Sequence, residues 1–180
     1  MHQAEAKQQL AVYYFDETGF TTIPCVPYAW QKPSETLCLP SKLSKRLNIL
    51  GFLNKENDSY FYQQEGSVTS QTVINAFEAF GQRYAEHYAK TQQPCVVILD
   101  NASVHTSKAF LAVRENWYRY GVLVHYLPPY SPELNWIEML WRKIKYEWLS
   151  FNAYLSYEHL KNEVLQILNK VGKEYTITFA

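Results

Sequence analysis

The chain lacks a surplus of charge, a cysteine pair at metal-binding spacing and any apolar run long enough to cross a membrane. Lys plus Arg and Asp plus Glu each number 17, so the formal net charge is zero. That balance excludes a protein whose whole surface attracts nucleic acid, while leaving room for a local basic face. The three cysteines (Cys25, Cys38, Cys95) are odd in number and show no CxxC spacing. They fit a reduced, cytoplasmic setting, with Cys95 serving as a small hydrophobe at the mouth of a strand. The polar start, Met1 to Lys7, has no apolar segment of signal-peptide type. There is no internal repeat and no low-complexity stretch.

What is present is a chain of 180 residues that suits one domain with a substantial core. An apolar fraction of 47%, with 15 Tyr and 5 Trp, fits a soluble globular protein. Leu10 to Phe15 has the aromatic and β-branched content of a strand ending at Asp16, after which Thr18-Gly19-Phe20 is expected to turn the chain. Four prolines between Thr21 and Pro40 predict an irregular connection with at most a short strand around Tyr28 to Gln31. Arg46 to Leu53 and Tyr60 to Gln64 read as paired strands around a turn at Asn57-Asp58.

A helix from about Gln71 to Ala89 follows, capped by Ser70 or Thr72, with Val73, Phe77, Phe80 and Tyr84 at helical period. Pro94 then precedes Val96 to Leu99, a continuous apolar run typical of a strand buried on both faces. Ser107 can cap the next helix, through Phe110, Leu111 and Trp117, and Gly121 ends it. Val122 to Tyr126 is the last strand, followed by helices from Trp136 to about Leu149 and from Tyr157 to Val171, with Gly172 just past the end. Three antiparallel strands, then two parallel strands, with helices between and after them, describe an α/β mixed sheet of ribonuclease H-like architecture.

Three acids fall at positions that such a sheet could bring together. Asp16 closes the first strand, Asp100 closes the fourth, and Glu138 opens the penultimate helix. Ligands in open α/β sheets bind beyond the carboxyl ends of the strands. Gathered carboxylates repel one another unless cations lie between them, and Mg²⁺ takes oxygen ligands. A pair of such ions can clamp the attacking and leaving oxygens of a phosphoryl displacement. Each acid also has a purely structural alternative. Asp16 could start an Asx-turn, Asp100-Asn101 is a common strand-to-loop dipeptide, and Glu138 could complete a capping box with Asn135.

On the same helix Ile137, Leu140, Trp141, Ile144 and Trp148 form an apolar stripe. Glu138, Arg142 and Lys145 lie together beside it. This arrangement suits a metal site next to a phosphate backbone, or else an i,i+4 Glu–Arg pair on a solvated face. His105, five residues after Asp100, is a further candidate for phosphate or a metal-bound water. Glu17 and Glu133 are acidic neighbours that could be mistaken for the true ligands.

Two segments carry a resemblance. Leu-Asp-Asn-Ala-Ser-Val-His (99–105) and Leu-Pro-Pro-Tyr-Ser-Pro-Glu-Leu-Asn-Trp-Ile-Glu-Met-Leu-Trp (127–141) resemble mariner-type bacterial insertion-sequence transposases of the IS six-thirty group, within the DDE endonuclease superfamily. Phe-Asp-Glu-Thr-Gly-Phe (15–20) is similar to that family's first-acid segment. The resemblance implies metal-dependent DNA cleavage and strand transfer, with Asp16, Asp100 and Glu138 holding two Mg²⁺ or Mn²⁺ ions. It implies DNA as partner (element ends, and targets at TA) and a homodimer in the active complex. Glu133 corresponds to the acid of the family's Ser-Pro-acid-Leu motif, which is not a ligand there. Trp136 stands where relatives carry Pro, a change that the first helical position tolerates.

Family members carry helix-turn-helix domains before the first catalytic strand. With about ten residues ahead of that strand, the expectation is a single catalytic domain over 1–180, its DNA-reading half on another chain or missing. Two rival functions share these features: a decayed DNA-binding or assembly module, and a structure-specific nuclease of the same superfold. Intact acids argue against decay, and the segment 128–135 favours the transposase.

Overall fold

The computed structural model describes Glu5 and residues 9–25 and 45–179. The expected irregular connection, with its strand around Tyr28 to Gln31, lies mostly outside the described residues. Five strands form one sheet in the order β3-β2-β1-β4-β5: β1 (Ala11–Phe20), β2 (Leu47–Asn54), β3 (Ser59–Glu65), β4 (Cys95–Leu99) and β5 (Val122–Tyr126). The first three are antiparallel, and β4 and β5 run parallel to β1. The helices are α1 (Ser70–Thr91), α2 (Lys108–Val113), α3 (Ile137–Lys143) and α4 (Tyr157–Lys170). A 3-10 turn, Arg114–Tyr120, extends α2, and a π turn, Ile144–Trp148, extends α3.

The central strands are buried on both faces because two helical layers flank them. Along β1, Val12 and Tyr14 point into a core shared with α3 and α4. Tyr13 and Phe15 point into a second core under α1 and the Trp117 turn. Each fully buried side chain of this size contributes about 1.5–3 kcal/mol by leaving water. β4 divides likewise, with Ile98 on the first side and Cys95, Val97 and Leu99 on the second.

Several sequence expectations need correcting. β1 does not stop at Asp16 but runs on to Phe20, paired with β2 through Gly19↔Asn48 and Phe20↔Leu47. The long β2, buried at every position, supplies ladder partners that the local Thr-Gly signal does not reveal. The cap of α1 is Thr69, not Ser70 or Thr72; Thr72 is its reciprocal partner in the capping box. The α2 segment tightens to 3-10 after Val113, which buries Trp117 and leaves Leu111 40% exposed. Gly172, at φ 80, does follow the end of α4. The tail beyond it is held to the β2–β3 turn by paired Asn57–Ile177 hydrogen bonds of 2.6 and 3.0 Å.

Candidate active site

The parallel register Tyr14↔Ile98 places Asp16 and Asp100 at one level, each two residues further along its strand direction. Neighbouring strands lie about 4.8 Å apart, so the two acids occupy adjacent positions at the edge of the β1–β4 ladder. β4 ends at Leu99, and the chain turns away where Ala102 N–H donates to Asp100 Oδ1 at 3.0 Å. The Asx-turn thus forms at Asp100. It does not form at Asp16, which lies inside a strand.

Glu138 sits in the first turn of α3, one turn before Trp141. The Trp141 indole N–H donates to Asp16 Oδ2 at 3.1 Å, tying this helix to the strand. Gly51 makes that contact possible. It is the β2 residue paired directly with Asp16, and a Cβ there would come within 2.6 Å of the Trp141 ring. Asn135, buried just ahead of α3, adds a second tie by donating from Nδ2 to the Phe15 carbonyl at 3.0 Å.

These contacts overturn the capping reading of Glu138. The cap position belongs to Trp136, without any side-chain cap, because the Asn135 amide is turned towards β1. Trp136 therefore precedes the first helical residue, and its ring stacks between Tyr14 and Phe179 at centroid distances of 5.2 and 5.3 Å. Among the described residues Glu138 makes no ion pair, so the Glu138–Arg142 pair is absent as well. Its carboxylate is exposed beside Asp16, whose ionisation it opposes.

Burial, reinforced by the negative charges of Glu138, Glu17 and Asp100, pushes the Asp16 pKa up to about 8. Asp100 moves the opposite way. Its hydrogen bond with His105 outweighs partial burial and holds it below the ordinary carboxylate value. The His105 ring bridges Asp100 Oδ1 at 2.7 Å through Nδ1 and Glu17 Oε2 at 3.1 Å through Nε2. Burial by itself lowers the pKa of His105, but the bonds to Asp100 and then Glu17 carry it up to about 9. A charged ring donating both N–H groups is the consistent state near neutrality.

The placement of His105 corrects its candidacy as a DNA contact. The ring is fully buried, with both nitrogens occupied by carboxylates, and cannot meet a phosphate. It orients Asp100 instead. Glu17 belongs to this clamp, on the opposite face of β1 from Asp16. Arg142 is exposed on α3, and Lys145 Nζ sits 5.7 Å over the Phe20 ring. Glu133 is exposed in the short 3-10 turn Pro132–Leu134.

Sequence reasoning missed Gly51, the polar end of Trp141 and the Asn135 tie. Trp141 carried a usable signal, since it stands one helical turn after Glu138 and buried indoles usually find an acceptor. Gly51 carried none, because its role depends on a helix nearly ninety residues away.

As placed, no three His, Cys, Asp or Glu side chains among the described residues are arranged to hold a metal ion. The donor chemistry nevertheless fits a hard divalent cation. Three carboxylates converge by charge on Asp16, and both hydrogen bonds to Asp100 use Oδ1, leaving Oδ2 for another ligand.

A mixed sheet in this strand order, with acids at one level of its neighbouring central strands, defines the ribonuclease H-like class. Residues 11–161 match the DDE superfamily endonuclease family, and the chain belongs to it. Over 76 residues it is 33% identical to an uncharacterized protein (y4pE/y4sA) of Sinorhizobium fredii, covering 42% of this chain and 52% of that one. A chain of a pre-cleavage Mos1 transpososome superposes with TM-score 0.61 at 18% identity, covering 93% of this chain and 51% of that chain. The Mos1 transposase catalytic domain bound to raltegravir with Mg gives TM-score 0.60 at 17% identity, covering 93% and 76%. A chain of the simian T-cell lymphotropic virus intasome gives 0.55 at 13%, covering 94% and 51%. At such identities the superpositions establish the fold. The chain spans about half the length of the curated relative and of the transpososome chain.

Proposed function

We propose that this chain is the catalytic domain of a DNA transposase, cutting phosphodiester bonds at the ends of an insertion element and joining them to target DNA. The observation that carries the proposal is the level pairing of Asp16 and Asp100, faced by the helix of Glu138, in a chain of the DDE endonuclease family. Structures of Mos1 with Mg and with Mn support a divalent cofactor, Mg²⁺ or Mn²⁺; in this chain Asp16, Asp100 and Glu138 would hold two such ions. When bound, such a pair supplies activation of water or of a 3′-hydroxyl and stabilises the leaving oxygen.

The protein's own residues prepare that chemistry. His105 fixes the Asp100 carboxylate through one oxygen and presents the other. The Trp141 N–H fixes Asp16 Oδ2 at the opposite wall, and Gly51 leaves the room for it. Arg142 and Lys145, one and two turns beyond Glu138, track the phosphate backbone, which positions DNA without reading its sequence. In the active complex the domain works as a homodimer on element ends and TA targets, with base readout left to helix-turn-helix domains. The protein would act in the cytoplasm, at the nucleoid.

The test is nicking of supercoiled plasmid in Mn²⁺. Wild type should nick, Glu138→Gln should lose activity by about three orders of magnitude, and Glu133→Gln should retain it. Activity lost with Glu133→Gln and kept with Glu138→Gln would reject the assignment. Because phosphate contacts dominate, affinity of the 180-residue chain for duplex should fall with salt and be equal for element-end and scrambled DNA. Strong preference for the element end would place sequence recognition inside this chain.

A further inference from the structure

One aromatic ring, across a groove from Asp100, packs against nothing among the described residues. Tyr130 is 102% exposed, whereas the next most exposed large apolar side chain, Tyr146, stands at 56%. Its backbone adopts φ 59, the left-handed region that glycine or asparagine occupies with least strain and a bulky residue rarely enters. Neither packing nor backbone comfort therefore accounts for a tyrosine at this position. Strain held at a defined point is a pointer to function when the surrounding structure enforces it.

The surrounding structure does enforce it. Leu127 N–H donates to the Leu99 carbonyl at 2.9 Å, and Asn101 Nδ2 donates back to the Leu127 carbonyl at 2.7 Å. These bonds anchor the loop to the end of β4, next to Asp100. Pro128, Pro129 and Pro132 stiffen it, and Asn135 N–H closes its far end on the Pro132 carbonyl at 2.9 Å. A cavity of about 440 Å³ lies between this loop and Asp100, Asn101 and Ala102. Asp100 is common to it and to the carboxylate site, and its lining includes Pro128, Pro129, Pro132, Ala102 and Tyr130.

We propose that Tyr130 is a stacking platform for a single unpaired nucleobase beside the phosphate that the acids engage. This rests on the reading of the domain as a DNA-cutting enzyme. A flat, solvent-facing ring at a groove of this size suits a planar base, and stacking tolerates any base because each has a π-face. The base must leave its duplex neighbours to reach the ring, so the platform acts on distorted DNA and not on an intact helix. Tyr130 thereby holds the strand beside the acid site, where a cation held by Asp100 would meet its phosphate.

The experiment measures the affinity of the 180-residue chain, by fluorescence anisotropy, for short duplexes carrying one bulged adenine or one bulged abasic nucleotide. Tyr130→Ala should weaken binding to the adenine bulge about tenfold and leave binding to the abasic bulge unchanged. Tyr130→Phe should match wild type on both. Tyr130→Gly should melt no lower than wild type, since it relieves the left-handed backbone, yet should bind like Tyr130→Ala. Equal affinity of Tyr130→Ala and wild type for the adenine bulge overturns the proposal, as does an equal loss on both bulges. A change in oligomeric state on Tyr130→Ala, with DNA affinity intact, would make the ring a protein contact and overturn it too. Failure to bind any duplex overturns both this proposal and the functional reading. Wild-type nicking without a Tyr130 effect overturns this proposal alone.

Discussion

Asp16 and Asp100 are the same residue type at the same level of neighbouring strands, and their surroundings drive them in opposite directions. Asp16 is enclosed by burial and by other carboxylates, with the Trp141 N–H as its side-chain donor. Asp100 stands 49% exposed and accepts from His105 and from the Ala102 amide. One acid resists ionisation while the other is held ionised. Near neutrality Asp16 therefore tends to keep its proton, with no cation beside it, whereas the ionised Asp100 is already balanced by the buried imidazolium. A cation arriving at this site would find most of its electrostatic gain at Asp16 and a ready-oriented oxygen at Asp100.

The largest test of that contrast replaces each acid in turn. Asp16→Asn and Asp100→Asn should each reduce metal-dependent nicking by about three orders of magnitude. Their effects on stability in EDTA at neutral pH should oppose one another. Asp16→Asn removes a buried carboxyl group that the fold must hold protonated near neutrality, and should raise Tm by a few degrees, equivalent to about 1 kcal/mol. Asp100→Asn leaves His105 with one carboxylate and should lower stability by about 1–2 kcal/mol after allowance for solvent screening. Parallel shifts in Tm would break the comparison.

Metal binding sharpens it next. Millimolar Mn²⁺ should raise the wild-type Tm, because a ligand that binds only the folded state stabilises it, by about 2.7 kcal/mol at a hundredfold excess over Kd. The triple variant Asp16→Asn, Asp100→Asn, Glu138→Gln should lose that gain. A metal response that survives in the triple variant would put the cation elsewhere.

The geometry of the Asp16 side can be disturbed without touching an acid. Gly51→Ala forces a methyl towards the Trp141 ring and should cost about 1–3 kcal/mol in chemical denaturation, as overpacking does. Its Mn²⁺ response should shrink as the Trp141–Asp16 bond is displaced. A Gly51→Ala protein with wild-type stability and metal response would show that the indole is not what holds Asp16.

The smallest effect is in pH. The raised pKa of Asp16 means that its proton favours the folded state, a contribution full below the ordinary 3.8 and lost as pH climbs through about 8. His105 contributes fully below 6.5 and loses its contribution through about 9. Asp100 works in the other sense, stabilising above the ordinary carboxylate range and failing in acid. In EDTA, Tm should therefore decline between pH 6.5 and 9, and His105→Gln should flatten the upper part of that decline. A flat wild-type profile over this window would contradict the charged clamp.

The element order was legible in the sequence because periodicity is a local property. The aromatic and β-branched content of 10–15, the unbroken apolar run of 96–99 and the helical repeat of 73, 77, 80 and 84 each state which residues must be buried. Asp16, Asp100 and Glu138 stood out as candidates as well, because their neighbours resemble a known family, although the strand end expected at Asp16 was not where β1 stops. What the tertiary structure decided were the contacts between distant segments. The extension of β1 past Asp16 depends on β2 as its ladder partner. The Asn135 side chain turned from its helix to the Phe15 carbonyl because β1 stood there with an acceptor. His105 changed from a surface contact to a buried clamp because Glu17 meets it from the neighbouring strand. Composition and period encode which residues leave water, but a hydrogen bond between residues 16 and 141, or 17 and 105, exists only once packing has brought its two ends within about 3 Å.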